Sequence, residues 1–238
     1  MLHFVRVVVS TLCLYLGTHL YVFTVLPFAV LISCLNRQGI PALKRWFVRC
    51  VFAIVGMQLK ISGYENLEPR RTYVIIANYP SGYAGFALVG VFPRAALVAH
   101  AFLKKVPLLG HVLQQLGTIF VQPGKTGRGK RALEFHLAKR TAPTSVIIFP
   151  EGKRTPDGRI HRFRRGFIYM LRQTSCDLLL VTLNGLYTLK PAHRFYVDPR
   201  ARPELVIHPP VSAAAVRQMS DSELLVMAEE VILSKHNP

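Results

Sequence analysis

Acidic side chains are scarce in this sequence: 12 Asp and Glu stand against 30 Lys and Arg, leaving a formal net charge of +18 over 238 residues. That imbalance excludes a surface built to collect cations and points to an anionic partner. Cysteine is sparse too. Cys13, Cys34, Cys50 and Cys176 are far apart, and three of them lie in apolar stretches. This excludes a disulfide framework and a paired metal spacing, and fits buried thiols in a reducing compartment; no metal site is expected. Repeats and low-complexity segments are absent. So are zinc-ligand spacing, a helix-turn-helix pattern and an aromatic-basic RNA signature, which argues against nucleic acid as the anion.

Charge of either sign is missing from Val7 to Leu35, His19 aside. About 20 apolar residues suffice to cross a bilayer as helix, so residues 1–35 are expected to be a membrane anchor. The run is too long for a secretory signal, and no small-residue cleavage site closes it. Pro27 leaves two shapes open, a kinked single span or a helix hairpin that dips in and returns. Only Arg6 precedes the run, whereas Arg37, Lys44, Arg45 and Arg49 follow it, which puts the globular part on the cytoplasmic side of the membrane. Residues 36–60 then read as an interfacial amphipathic segment, with an apolar stretch from Trp46 to Met57 interrupted by Arg49. With an anchor on the same chain, the nearest polyanion is the lipid surface, where each basic residue contributes about 1 kcal/mol.

From residue 61 to 238 the sequence alternates short apolar runs with helix-length segments. The runs Thr72 to Ala77, Ala95 to Ala99, Thr118 to Val121, Ser145 to Phe149 and Leu178 to Leu183 read as strands. Val106 to Leu116, Arg128 to Arg140 and Arg164 to Thr174 read as helices. Ile61 to Leu67 is a strand ending in a turn, and Arg202 to Ile207 is a late strand expected at the sheet edge. Ser220 and Glu223 have capping-box spacing and open a last helix to about Ser234. Alternation of this kind predicts an α/β fold, a mainly parallel mixed sheet flanked by helices, with ligands at the carboxyl ends of the strands.

One of those ends carries unusual chemistry. The buried run Ser145-Val146-Ile147-Ile148-Phe149 stops at Pro150 and gives way to Glu151-Gly152-Lys153-Arg154-Thr155. Gly152 allows close approach to the backbone, and Lys153 with Arg154 offer charge to an anionic head group. The alternative for this pair is a solvated charge pair. Glu151 has two readings, an acceptor for a glycerol hydroxyl or a partner for Arg154 or backbone amides.

This block resembles the signature of the lysophosphatidic acid acyltransferase family, which usually has Thr where this chain has Lys153. Leu103 to Gly110 resembles the segment before the family's second motif, Gly117 to Val121 the start of that motif, and Phe163-Arg164-Arg165-Gly166 the family's basic turn. The resemblance runs from about Gly63 to about Gly185. It implies a membrane enzyme of phospholipid biosynthesis, a glycerophospholipid acyltransferase. Such an enzyme moves a fatty acyl group from a thioester, acyl-CoA or an acyl carrier protein, to lysophosphatidic acid or a similar lysolipid. It implies no bound cofactor, and as partners the membrane lipids and a glycerol phosphate head group. Where the family ends its second motif in arginine, this chain has Gln122-Pro123, with Lys125 close by in sequence.

The family's catalytic block is an Asn-His pair after the first strand, with an Asp five residues beyond the His. Here the strand runs into Asn78-Tyr79-Pro80-Ser81-Gly82-Tyr83-Ala84, so Tyr79 and Ala84 occupy the His and Asp positions. Tyrosine ordinarily titrates near 10 and cannot simply serve as a base at neutral pH. No other histidine stands at the motif. His100 and His111, near the middle of the chain, read as surface or capping residues. Asn78, Ser81, Glu151, Gly152, Lys153 and Arg154 are the candidate substrate-binding residues, with turn capping as the plain alternative for Asn78 and Ser81. Two functions stand side by side: an acyltransferase with an altered dyad, and a catalytically silent relative that binds phospholipid head groups or a partner enzyme.

Overall fold

The computed structural model describes residues 2–20, 39–54, 56–68, 71–106, 109–122 and 144–237. Strands β1 (Lys60–Ser62), β2 (Tyr73–Ala77), β3 (Ala96–His100), β4 (Ile119–Val121), β5 (Val146–Ile148), β6 (Asp177–Asn184) and β7 (Glu204–Ile207) form one sheet in the order β1-β7-β6-β2-β5-β3-β4. All pairings are parallel except β6 with β7. Every residue of β2 and of β6 is buried, as expected of central strands covered on both faces.

Because side chains alternate across a strand, β2 and β6 divide their residues between two cores. Ile75, Ala77, Leu179, Val181 and Leu183 face one cluster, and Val74, Ile76, Leu178 and Leu180 the other. The first is closed by helices α2 (Ile40–Ile54) and α3 (Tyr83–Val91). Their contact is close: a Cβ on Gly90 would lie 2.6 Å from Val48 Cγ1. The second is closed by α5 (Gly166–Gln173), α7 (Ala213–Gln218) and α8 (Asp221–Ser234) through Phe167, Met170, Val216, Leu224 and Ile232. The capping box at Ser220 and Glu223 starts α8 as expected, each side chain bonding the other's main-chain N–H. Two short helices, α4 (Leu109–Gln115) and α6 (Leu186–Leu189), complete the described elements with α1 (Leu2–Leu20).

The strand at residues 204–207 is not at the edge. It lies between β1 and β6, and β1 takes the outer position. Its burial alternates residue by residue, so one of its faces is more covered than the other. In the expected interfacial segment, Val48 and Phe52 of α2 are buried in the domain's own core, and the Lys44 ammonium donates to Ala95 O, while Trp46 is exposed. Among the described residues no helix is long and apolar enough to cross a membrane. The expected anchor lies partly outside them, as does the expected helix at Arg128 to Arg140.

α1 packs along the domain. Its Thr11 Oγ1 accepts from Val197 N–H at 3.2 Å, and the Tyr15 hydroxyl donates to Phe195 O at 2.7 Å. Phe4, Val5, Val9, Leu12 and Leu16 are exposed along the helix, and Phe195 beside it is 71% exposed.

Candidate active site at the ends of β2 and β5

β2 and β5 are neighbours in register, Ile76 beside Ile148, so the loops that follow them emerge side by side. This topology brings Asn78 and Tyr79 against Glu151. Asn78 is buried and clamps β6: its Nδ2 donates to Leu183 O at 2.9 Å and its Oδ1 accepts from Leu183 N–H at 2.7 Å. Ser81 is fully buried, its Oγ accepting from Tyr83 N–H and its carbonyl from Ala84 N–H, which starts α3. Ala84 is fully buried in the first core cluster. The Tyr79 ring is stacked on Phe149. Burial holds its phenol above the ordinary value, and the opposing pull of Arg154 is the smaller effect, so the hydroxyl keeps its proton.

Glu151 bonds backbone amides. Oε1 accepts from Tyr79 N–H at 2.6 Å and Oε2 from His161 N–H at 3.1 Å. Burial pushes its carboxyl up against the pull of these two amides. The carboxylate therefore joins the loop after β2 to the chain ten residues further on. Thr155 closes the assembly, its N–H donating to Tyr79 O at 3.0 Å. Its hydroxyl donates to Asp157 Oδ1 at 2.8 Å and accepts from Gly158 N–H. Gly158, at φ 85°, turns the chain back; a Cβ there would lie 2.9 Å from the Tyr187 ring of α6. The turn returns His161 to Asp157, whose Oδ1 meets His161 Nε2 at 2.9 Å.

The cations sit on this frame. Gly152 has φ 73°, and a Cβ on it would lie 3.2 Å from Arg164 Cζ, so that guanidinium covers the loop. Lys153 and Arg154 are exposed. The Arg154 guanidinium extends over Gly82, where a Cβ would lie 3.9 Å from its Nη1. It also comes within electrostatic reach of Lys190, which follows α6. Burial, then Arg154, then Arg194 hold the Lys190 ammonium below its usual range. Among the described residues neither Arg154 nor Lys190 has a carboxylate partner, and Lys190 Nζ donates only to Arg194 O at 3.1 Å. Two cations gathered without a counterion leave unneutralised positive charge at these strand ends.

Lys190 carries no motif that a sequence reading would pick out; the fold brings it in. A sequence reading likewise misses His161, and the turn at Gly158 brings its main-chain N–H to Glu151. His100 caps a 3₁₀ turn, its Nδ1 accepting from Phe102 N–H, and His111 is exposed on α4. Gln122 is exposed, and Pro123 and Lys125 lie outside the described residues. No group of three His, Cys, Asp or Glu side chains among the described residues is placed to hold a metal ion.

The central strands of an α/β sheet thus end in a carboxylate-braced, cation-bearing loop. The Acyltransferase family model matches residues 58–184, over half of the chain, and this protein belongs to that family. It is similar to the 1-acyl-sn-glycerol-3-phosphate acyltransferase of Saccharomyces cerevisiae, 28% identical over 170 residues, covering 68% of this chain and 55% of the yeast protein. It is similar also to that of Borreliella burgdorferi, 29% identical over 133 residues, covering 55% of this chain and 52% of the relative. The chain thus spans about half the length of the curated relatives it matches. Among solved structures it resembles the 1-acyl-sn-glycerophosphate (LPA) acyltransferase PlsC from Thermotoga maritima, with a TM-score of 0.83 at 25% identity over 98% of this chain and 97% of that one.

Proposed function

We propose that this protein works at a membrane surface as a glycerophospholipid acyltransferase, moving a fatty acyl group from an acyl thioester to lysophosphatidic acid or a similar lysolipid. The observation that carries the reading is the unneutralised pair Arg154 and Lys190 at the carboxyl ends of the central strands. A phosphate monoester there pairs with a guanidinium fork and an ammonium at once. Asn78, Ser81 and Glu151 build the loops that present these cations, and Gly152 and Lys153 form the loop's outer edge. The exposed apolar side chains of α1 and the excess of basic residues favour a lipid surface facing the cytoplasm. Acyl-CoA and an acyl carrier protein are the candidate donors.

The observation that favours a silent, head-group-binding relative is the stacked, protonated Tyr79 above a buried Ala84, which offers no base where the family carries one. Transfer of labelled acyl chains from acyl-CoA or acyl carrier protein to lysophosphatidic acid by the purified protein separates the two. Binding of the lysolipid without turnover would establish the silent reading.

A further inference from the structure

The chemistry missing at positions 79 and 84 is a histidine held by an aspartate. The described structure contains such a pair much further along the chain, tied to position 79 through Glu151. Five residues close a ring of hydrogen bonds. Tyr79 O accepts from Thr155 N–H, the Thr155 hydroxyl donates to Asp157, Asp157 holds His161 Nε2, His161 N–H donates to Glu151, and Glu151 accepts from Tyr79 N–H. One carboxylate thus separates the main chain at Tyr79 from the main chain at His161. We propose that His161, oriented by Asp157, is the general base that position 79 does not supply.

Asp157 suits the part of an orienting residue. Its Oδ1 accepts from the Thr155 hydroxyl, from Arg159 N–H at 3.1 Å and from the imidazole, so it stays in place and ionised. His161 has the features of a working base rather than a core residue. Its side chain is 45% exposed, and its Nδ1 has no partner among the described residues. Asp157 bonds Nε2, which leaves Nδ1 as the nitrogen that takes a proton.

The assignment rests on the acyl-transfer reading, and its step is balanced. Nδ1 of His161 takes the proton of the acceptor hydroxyl while the hydroxyl oxygen attacks the thioester carbonyl carbon. The carbonyl electrons return as the C–S bond breaks, and the leaving thiolate takes the proton from the imidazolium. The products are an ester and a thiol.

The experiment measures acyl transfer to lysophosphatidic acid for wild type, His161→Ala, Asp157→Asn and His111→Gln, with vesicle binding and thermal midpoint recorded for each. His161→Ala should lower kcat by ~10²–10⁴ and recover part of it in added imidazole, while binding and midpoint stay in place. Asp157→Asn should lower kcat and leave KM unchanged. His111→Gln should match wild type. Full activity in His161→Ala overturns the assignment and leaves the acyltransferase reading intact. Absence of transfer in wild type, with lysophosphatidic acid binding that depends on Arg154, overturns the assignment together with turnover and leaves a head-group binder. Loss of transfer without imidazole recovery overturns it as well, because a structural role would give that result.

Discussion

Tyr79 lies face to face on Phe149, with ring centroids 4.1 Å apart and the planes 11° from parallel. The Tyr79 side chain is thus a packing element of the loop. Tyr79→Phe keeps the stack and removes only the hydroxyl, so the unfolding free energy should change by no more than about 0.5 kcal/mol. Tyr79→Ala removes the half-buried ring and should cost about 1–3 kcal/mol in denaturant unfolding. Equal effects of the two would show that the stack contributes nothing.

An aspartate at position 84 should be expensive for the fold. Ala84 is fully buried among apolar side chains. Ala84→Asp places an unpaired carboxylate there and should destabilise by about 3–5 kcal/mol. Tyr79→His in the same chain should recover part of the loss if the imidazole reaches the new carboxylate, and calorimetry of both variants reads this directly.

Head-group binding should fall on two positions. Arg154→Ala and Lys190→Ala should each weaken binding to vesicles carrying lysophosphatidic acid about 10–100-fold, the range for hydrogen bonds to a charged group. Arg217→Ala should have little effect; that guanidinium donates to Ala213 O on α7, far along the chain from both loops. Three equal responses would reduce the site to general surface charge.

The turn at Asp157 should respond to acid. Bonds from Thr155 and Arg159 N–H, and then His161, lower its carboxyl from 3.8 to about 2. A folded-state value below the unfolded one means stability that is present above the unfolded value and lost as pH falls through about 2. Wild type should therefore lose more stability than Asp157→Asn between about pH 4 and about pH 2, as parallel urea titrations would show.

Membrane association should depend on α1. Changing Phe4, Leu12 and Leu16 to Ser removes exposed apolar area from one helix, and the variant should shift towards the soluble fraction in vesicle flotation at high salt. Wild type that washes off under the same conditions would remove the membrane reading.

Much of this architecture is legible in the sequence because strands buried on both faces leave continuous apolar runs. Tyr73–Ala77 is such a run, Leu178 to Leu183 is one but for Thr182 and lies inside the observed strand Asp177–Asn184, and Ala96–His100 differs from expectation by a single residue at each end. Strand neighbours are a different matter. Period-2 burial at Glu204–Ile207 says that one face is covered but not which strand lies alongside, so its interior position appears only in the sheet order. The cation-bearing loop after Phe149 is legible because glycine, acid and bases crowd into five residues. Lys190 and His161 are not, because what brings them to the loop is a turn at Gly185, with φ 69°, and one at Gly158, with φ 85°. Backbone direction after a glycine is set by the contacts around it, here Tyr187 and the carbonyl of Arg202.

Glu151 grips position 79 through the peptide N–H and Thr155 through the carbonyl, so these hydrogen bonds do not depend on which side chain stands there. Any residue other than proline can present that N–H. A lineage could therefore exchange the side chain at this point without first loosening the loop, and an imidazole could give way to an aromatic plate while the architecture around it survived. A grip made through the backbone lets the loop's hydrogen bonds outlast a change in the chemistry displayed there.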